Sequence, residues 1–234
     1  VIDCYLCARR CKIRDEGIGF CLVRKNVKGK LYSLNYAKAC SACVDPINKK
    51  PLSHFHPGSM VMSIATIGCN FRCKFCDNWM ISQEKIGGTD LPPNEVVKAT
   101  RDNNCQGISY TYTEPTIFFE YAYDTAVLAK KEGFFNTFVT NGYMTPEAVK
   151  TIASVLDAAT VDFKGGADPE FYKEFSAVPS VDPIYESLKE MKKNGFEALF
   201  PCEEHSEFEP GYYAVSFCDP DNYVIEIYTR QKPK

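Results

Sequence analysis

The bunching of cysteines constrains this chain more than any other feature. Twelve Cys occur in 234 residues. Cys4, Cys7, Cys11 and Cys21 form one group, Cys40 and Cys43 a pair, and Cys69, Cys73 and Cys76 a triplet, leaving Cys105, Cys202 and Cys218 scattered. Disulfide-dense scaffolds are small secreted domains without a large core. This chain is 45% hydrophobic and long enough to bury a core of its own. Two or three residues between thiols is metal-ligand spacing, so metal or iron–sulfur chemistry is the first expectation.

Three segments differ in rhythm. Residues 1–57 are rich in Cys, Lys and Arg, with an alternating stretch after the turn at Asn26–Gly29 that predicts a small hairpin stapled by metal. From 58 to 200, short apolar runs alternate with amphipathic stretches. Strands are expected over 61–67, 107–112, 135–140, 159–163 and 196–200. Helices are expected over 93–104, 116–132, 145–157 and 182–194, with Thr145-Pro146 and Asp182-Pro183 as starts and Gly133 as a stop. Such alternation predicts an α/β fold, a partial (β/α) barrel of about five parallel strands, with chemistry at the strands' carboxyl ends. Residues 201–234 break the pattern and read as an atypical hairpin tail.

Basic and acidic residues nearly balance, 27 against 30, which argues against a broad nucleic-acid-binding face. No apolar run reaches the ~20 residues of a membrane span, and no basic-then-apolar leader is visible. The first residue is Val1 rather than Met, so a preceding N-terminal stretch is expected.

The triplet Cys69-Asn70-Phe71-Arg72-Cys73-Lys74-Phe75-Cys76 follows the first strand of the β/α series directly. A structural zinc site closes itself with four protein ligands. Three thiols on one loop instead suit a cubane cluster with one iron left open. This C-x3-C-x-φ-C pattern, with Phe75 at the aromatic position, resembles the radical S-adenosylmethionine (radical SAM) superfamily. The resemblance implies a [4Fe-4S] cluster on Cys69, Cys73 and Cys76. Its open iron would hold S-adenosylmethionine, cleaved reductively to a 5′-deoxyadenosyl radical that abstracts hydrogen from a substrate. It also implies that Glu114 meets the methionine ammonium, although the glycines that usually precede that carboxylate are absent. Asn141, Asp162 and Lys164 match strand-end elements of enzymes similar to pyruvate formate-lyase activase, where they line the S-adenosylmethionine pocket. The bland readings are a carboxylate near a helix N-terminus favoured by the dipole for Glu114, a turn for Asn141-Gly142, and an ion pair for Asp162 and Lys164.

Cys4, Cys7, Cys11 and Cys21 can satisfy zinc or fully ligate a second iron–sulfur cluster, and spacing does not choose between them. Together with Val44-Asp45-Pro46-Ile47, Lys49-Lys50-Pro51-Leu52 and the triplet, residues 1 to about 198 resemble the radical SAM component of the AmmeMemoRadiSam system. That resemblance implies a cytoplasmic oxidoreductase, a low-potential electron donor of ferredoxin or flavodoxin type, and Memo-like and AMMECR-like partners. Residues 208–228 resemble instead the last hairpin of a glyoxalase/bleomycin-resistance (vicinal oxygen chelate) domain, with Glu226 at a ligand position of that fold. His54 and His56 read as loop histidines. The competing functions are a zinc-binding interaction module with an inactive barrel, and an RNA-modifying radical SAM enzyme.

Overall fold

The computed structural model describes residues 1–84 and 87–196 in full, and the backbone alone of 203–204, 212–218 and 224–230. The chain divides into two units, 1–194 and 195–234.

The first unit is built on one five-stranded sheet. Its strands are β1 (Ser41–Pro46), β2 (Met60–Ala65), β3 (Gly107–Tyr110), β4 (Phe135–Thr140) and β5 (Ala158–Val161), in the spatial order β5-β4-β3-β2-β1. The four strands β2 to β5 run parallel. Of the fifth parallel strand expected, 196–200, residues 197–200 lie outside the described residues. The fifth member of the sheet is instead β1, which pairs antiparallel with β2. The expectation of a Cys40–Cys43 metal-type pair missed this strand, because its inward side chains are Ser41, Cys43 and Asp45 and so invert the usual apolar alternation.

Helices α1 (Pro93–Asp102) and α2 (Phe119–Lys131) pack against each other, and α2 lies on β3 and β4. Helices α3 (Pro146–Ile152) and α5 (Asp182–Lys193) pack together, with α4 (Pro169–Ser176) between them in the chain. Successive strand residues face opposite ways. Asn136 donates to Ala126 O of α2 and accepts from the Tyr110 hydroxyl, so Met62, Ile64, Ile108, Tyr110, Asn136 and Phe138 form the helix-covered face. The opposite face carries the in-register row Cys43, Ser63, Ser109 and Thr137.

Two short hairpins occupy the N-terminal segment, Ile2–Asp3 with Lys12–Ile13, and Arg24–Val27 with Lys30–Ser33. The second turns on Lys28 (φ 51°) and Gly29 (φ 78°); two consecutive positive φ values are what a two-residue hairpin turn needs. These hairpins dock on the sheet unit. Ala8 N donates to Tyr143 O (3.0 Å), and Thr145 Oγ1 donates to Tyr5 O (2.8 Å) while capping α3 at Ala148 N.

In the second unit, Tyr212–Cys218 pairs antiparallel with Val224–Arg230, and Glu203–Glu204 pairs with the first of these. The connecting residues 219–223 and the side chains behind the glyoxalase-like reading, Glu226 among them, lie outside the described residues.

Candidate functional site

Strand β2 runs out at Ala65, and the chain turns at Gly68 (φ 97°) into the Cys69–Cys76 loop. A side chain at Gly68 would stand 2.5 Å from the Cys21 carbonyl oxygen, so only glycine lets the N-terminal segment pass this close. Phe71 is buried against Tyr143 and Tyr172, with ring centroids at 5.4 and 6.0 Å, and anchors the loop. Arg72 donates to Cys69 O (2.8 Å), Phe71 O (2.7 Å) and Phe20 O. The loop is thereby held by its own backbone and leaves its thiols available.

Each thiol has a polar neighbour. Phe71 N donates to Cys69 Sγ (3.4 Å), Cys73 Sγ lies 3.4 Å from Ser176 Oγ, and Cys76 Sγ lies 3.3 Å from Ser82 Oγ. Burial pushes the Cys69 thiol pKa up, with the charges of Glu114, Cys73 and Cys76 adding to it. Every cysteine among the described residues is a free thiol.

Three further strand ends converge on this loop. Asn141, after β4, donates its amide to Asn70 Oδ1 (2.7 Å) and reaches Cys69 Sγ (3.9 Å). Its own Oδ1 accepts from Tyr143 N (3.0 Å), so the turn expected of Asn141-Gly142 and a position beside the cysteines are both realised. Glu114, after β3, is 1% exposed. Its carboxylate accepts from Thr116 N (3.0 Å), Thr116 Oγ1 (2.5 Å), Thr140 Oγ1 (2.7 Å) and Asn141 N (2.8 Å). A carboxylate has about four acceptor sites, so Glu114 is saturated by protein donors, capping its own short helix and tying the β3 end to the β4 end. Burial raises its pKa, partly offset by these donors. After β5, Lys164 pairs with Asp162 (2.6 Å). Burial works against the Lys164 ammonium, but Asp162 and the nearby Cys73 and Cys69 hold its pKa above the ordinary lysine value. Phe75 is 48% exposed and packs on Phe171, centroids 5.4 Å apart.

The N-terminal thiols form a second centre. Cys4, Cys7, Cys11 and Cys21 line one pocket together with Arg9 and Arg24. Burial lifts the Cys7 thiol to about 12, the other three thiols adding to it. Among the described residues, no three His, Cys, Asp or Glu side chains stand close enough to hold a single metal ion. Cys40 and Cys43 do not converge. Cys40 Sγ lies by Ala65 O (3.5 Å) and Cys43 Sγ by the Tyr112 hydroxyl (3.3 Å). His56 stacks on Phe135, centroids 4.6 Å apart.

A polar cluster that sequence reasoning did not single out as functional sits on the sheet face opposite the helices. Asp45 accepts from Lys49 (2.7 Å), Lys50 (2.7 Å) and the Tyr112 hydroxyl. Lys50 is 1% exposed, and Tyr112 holds a left-handed φ of 63°, costly for an aromatic residue. Burial opposes the Asp45 charge, but the two lysines and Tyr112 outweigh it and hold its carboxyl well below the usual range. Beside this cluster, Ser63, Ser109 and Thr137 are fully buried, and the Ser109 and Thr137 hydroxyls find no partner. Asp45 followed by Lys49-Lys50 was the available signal, seen in the sequence only as part of a family pattern.

The family model described as the Radical SAM superfamily matches residues 63–202. An uncharacterized protein of Methanocaldococcus jannaschii is 45% identical over 197 residues, which is 83% of this chain and 58% of that protein. A second uncharacterized protein of the same organism is 26% identical over 177 residues, 70% of this chain and 46% of that one. A third, provisionally named a glycyl-radical enzyme activating enzyme, is 24% identical over 168 residues, 72% of this chain and 54% of that one. The chain spans about half the length of the curated relatives it matches.

Proposed function

The chain belongs to the radical SAM superfamily, and on that premise we propose that it is a radical SAM oxidoreductase that binds a [4Fe-4S] cluster through Cys69, Cys73 and Cys76. The observation that carries this reading is convergence. Residues from four separate strand ends, the triplet, Glu114, Asn141 and the Asp162–Lys164 pair, meet around three free thiols on one loop. The donor set fits the group, because soft thiolates select iron–sulfur clusters.

When bound, the cluster supplies one electron and an open iron for S-adenosylmethionine, whose reductive cleavage provides a 5′-deoxyadenosyl radical. The chain's own residues position and enclose. Asn141 fixes the loop through Asn70 and Cys69. Glu114 acts through Thr140 and Asn141, which it holds. Lys164 places a cation beside Cys73 and Cys69, where anionic thiolates need one. Phe75 offers a half-exposed aromatic edge at the mouth of the loop. The reading extends, through the order of motifs in residues 1–198, to a ferredoxin- or flavodoxin-type donor, Memo-like and AMMECR-like partners, and a cytoplasmic setting.

The test is anaerobic reconstitution with iron and sulfide, then dithionite and S-adenosylmethionine. 5′-Deoxyadenosine forms in the native chain and not in Cys73→Ala. Equal yields from the two would overturn the assignment.

A further inference from the structure

We propose that Cys4, Cys7, Cys11 and Cys21 ligate a second iron–sulfur cluster, a cubane in which every iron is held by a protein thiolate. It rests on the radical SAM reading only for the centre that its electron serves. The four thiols come from residues 4–21 and line one pocket, and all are free. Cys4, Cys7 and Cys21 are buried, where unpaired thiols gathered by chance would have no reason to be kept together. The choice between zinc and a cluster is open on spacing; adjacency to the triplet, described below, favours the cluster, because zinc carries no electron.

A second, independent observation comes from Arg24. It is 4% exposed and lines the same pocket, and its Nε–H has no hydrogen-bond partner. An orphaned buried donor costs about 1–3 kcal/mol, and guanidinium groups are the side chains that persist when buried beside anions. Four thiolates around a cubane leave a net negative charge, and Arg9 and Arg24, the latter also paired with Glu120 through its Nη atoms, are the cations lining the pocket.

The two cysteine centres interlock. Arg9, between Cys7 and Cys11, donates to Asn70 O (2.9 Å) between Cys69 and Cys73. Arg72, inside the triplet, donates to Phe20 O next to Cys21. The Cys21 carbonyl lies against Gly68, next to Cys69. A cluster at the N-terminal site therefore adjoins the first and stores one electron for it. That electron comes from a low-potential donor of the ferredoxin or flavodoxin class, and no bond is made or broken.

The test uses the full chain carrying Cys69→Ala, Cys73→Ala and Cys76→Ala, reconstituted anaerobically with ferrous iron and sulfide. About four irons and four sulfides per chain are expected on cubane stoichiometry. Dithionite should then give a one-electron EPR signal that S-adenosylmethionine does not change, since no iron is open. Zinc alone, or no iron above a variant also lacking the four N-terminal thiols, overturns the proposal. Should the triple variant fail to fold by circular dichroism, the native chain decides. About eight irons support the second cluster, falling by about half in Cys11→Ser; about four, unchanged in Cys11→Ser, refute it. The two readings fail separately: eight irons without S-adenosylmethionine cleavage counts against the enzyme, and four irons with cleavage counts against the second cluster.

Discussion

Glu114 shows how a single residue can serve a site without facing it. Its four donors come from two strand ends, and Asn141, which one of them anchors, is the residue that touches the triplet. Replacing the carboxylate with an amide turns one acceptor into a donor, which then faces the Asn141 N–H or the Thr140 and Thr116 groups. One buried hydrogen bond becomes a clash of donors, a cost of about 1–3 kcal/mol. Glu114→Gln should therefore lower the urea midpoint by that equivalent. Iron content should be retained, because Glu114 touches no thiol. A normal midpoint would mean that the carboxylate is not the tie it looks like. The sequence offered two readings of this residue, a carboxylate favoured by a helix dipole and a ligand contact. It could not show the saturation, which depends on Thr140 and Asn141 arriving from another strand.

Among the elements, legibility followed punctuation. Strand β4 falls on Phe135–Thr140 as expected because Gly133 and Asn141-Gly142 bracket it. Helix α3 begins where Thr145-Pro146 announces it but ends at Ile152, short of 157, where no stop residue stands. Helix α4 went unread, though Asp168-Pro169 repeats the same start signal and Asp168 caps Phe171 N (2.7 Å). Helix α5 begins at Asp182, but Ser180 Oγ rather than the Asp182 side chain accepts the first N–H. Strand β1 was hidden by its polar inward face. That face meets the row Ser63, Ser109 and Thr137 at the centre of the sheet, where the Ser109 and Thr137 hydroxyls without partners are a stability debt. Ser109→Ala removes a buried hydroxyl that makes no bond, so it should raise the free energy of unfolding by about 1 kcal/mol. A fall of that size in urea titration would show that Ser109 is partnered in solution.

At the scale of the whole molecule, two ion pairs, one buried and one with Glu120 half exposed, tie residues 1–57 to the later elements. Asp45 and Lys50 meet Tyr112 from the β3 end, and Arg24 grips Glu120 of α2, Nη1 to Oε1 at 2.6 Å. Burial disfavours both carboxylate charges, but their cationic and hydroxyl partners prevail and lower both pKa values. A carboxylate whose native pKa lies below its unfolded value of about 3.9 for Asp or 4.3 for Glu binds fewer protons folded than unfolded. Its contribution to stability is then complete above about pH 5 and is lost as pH falls through the native pKa. The near-balanced surface, 27 basic against 30 acidic residues, adds little repulsion at neutral pH. Acid should therefore act first at these junctions, weakening the tie of β1 to Tyr112 and that of the Arg24–Val27 strand to α2. Unfolding free energy should stay level from pH 7 to about 5 and drop between about 4 and 2. Asp45→Asn should be less stable at neutral pH by roughly 3 kcal/mol, since it leaves Lys50 buried without its counter-charge. Its decline with acid should nonetheless be shallower than the native chain's, because one of the titrating groups is gone. Parallel acid curves for the two proteins, with Glu120→Gln as a third, would place the acid-sensitive charges elsewhere.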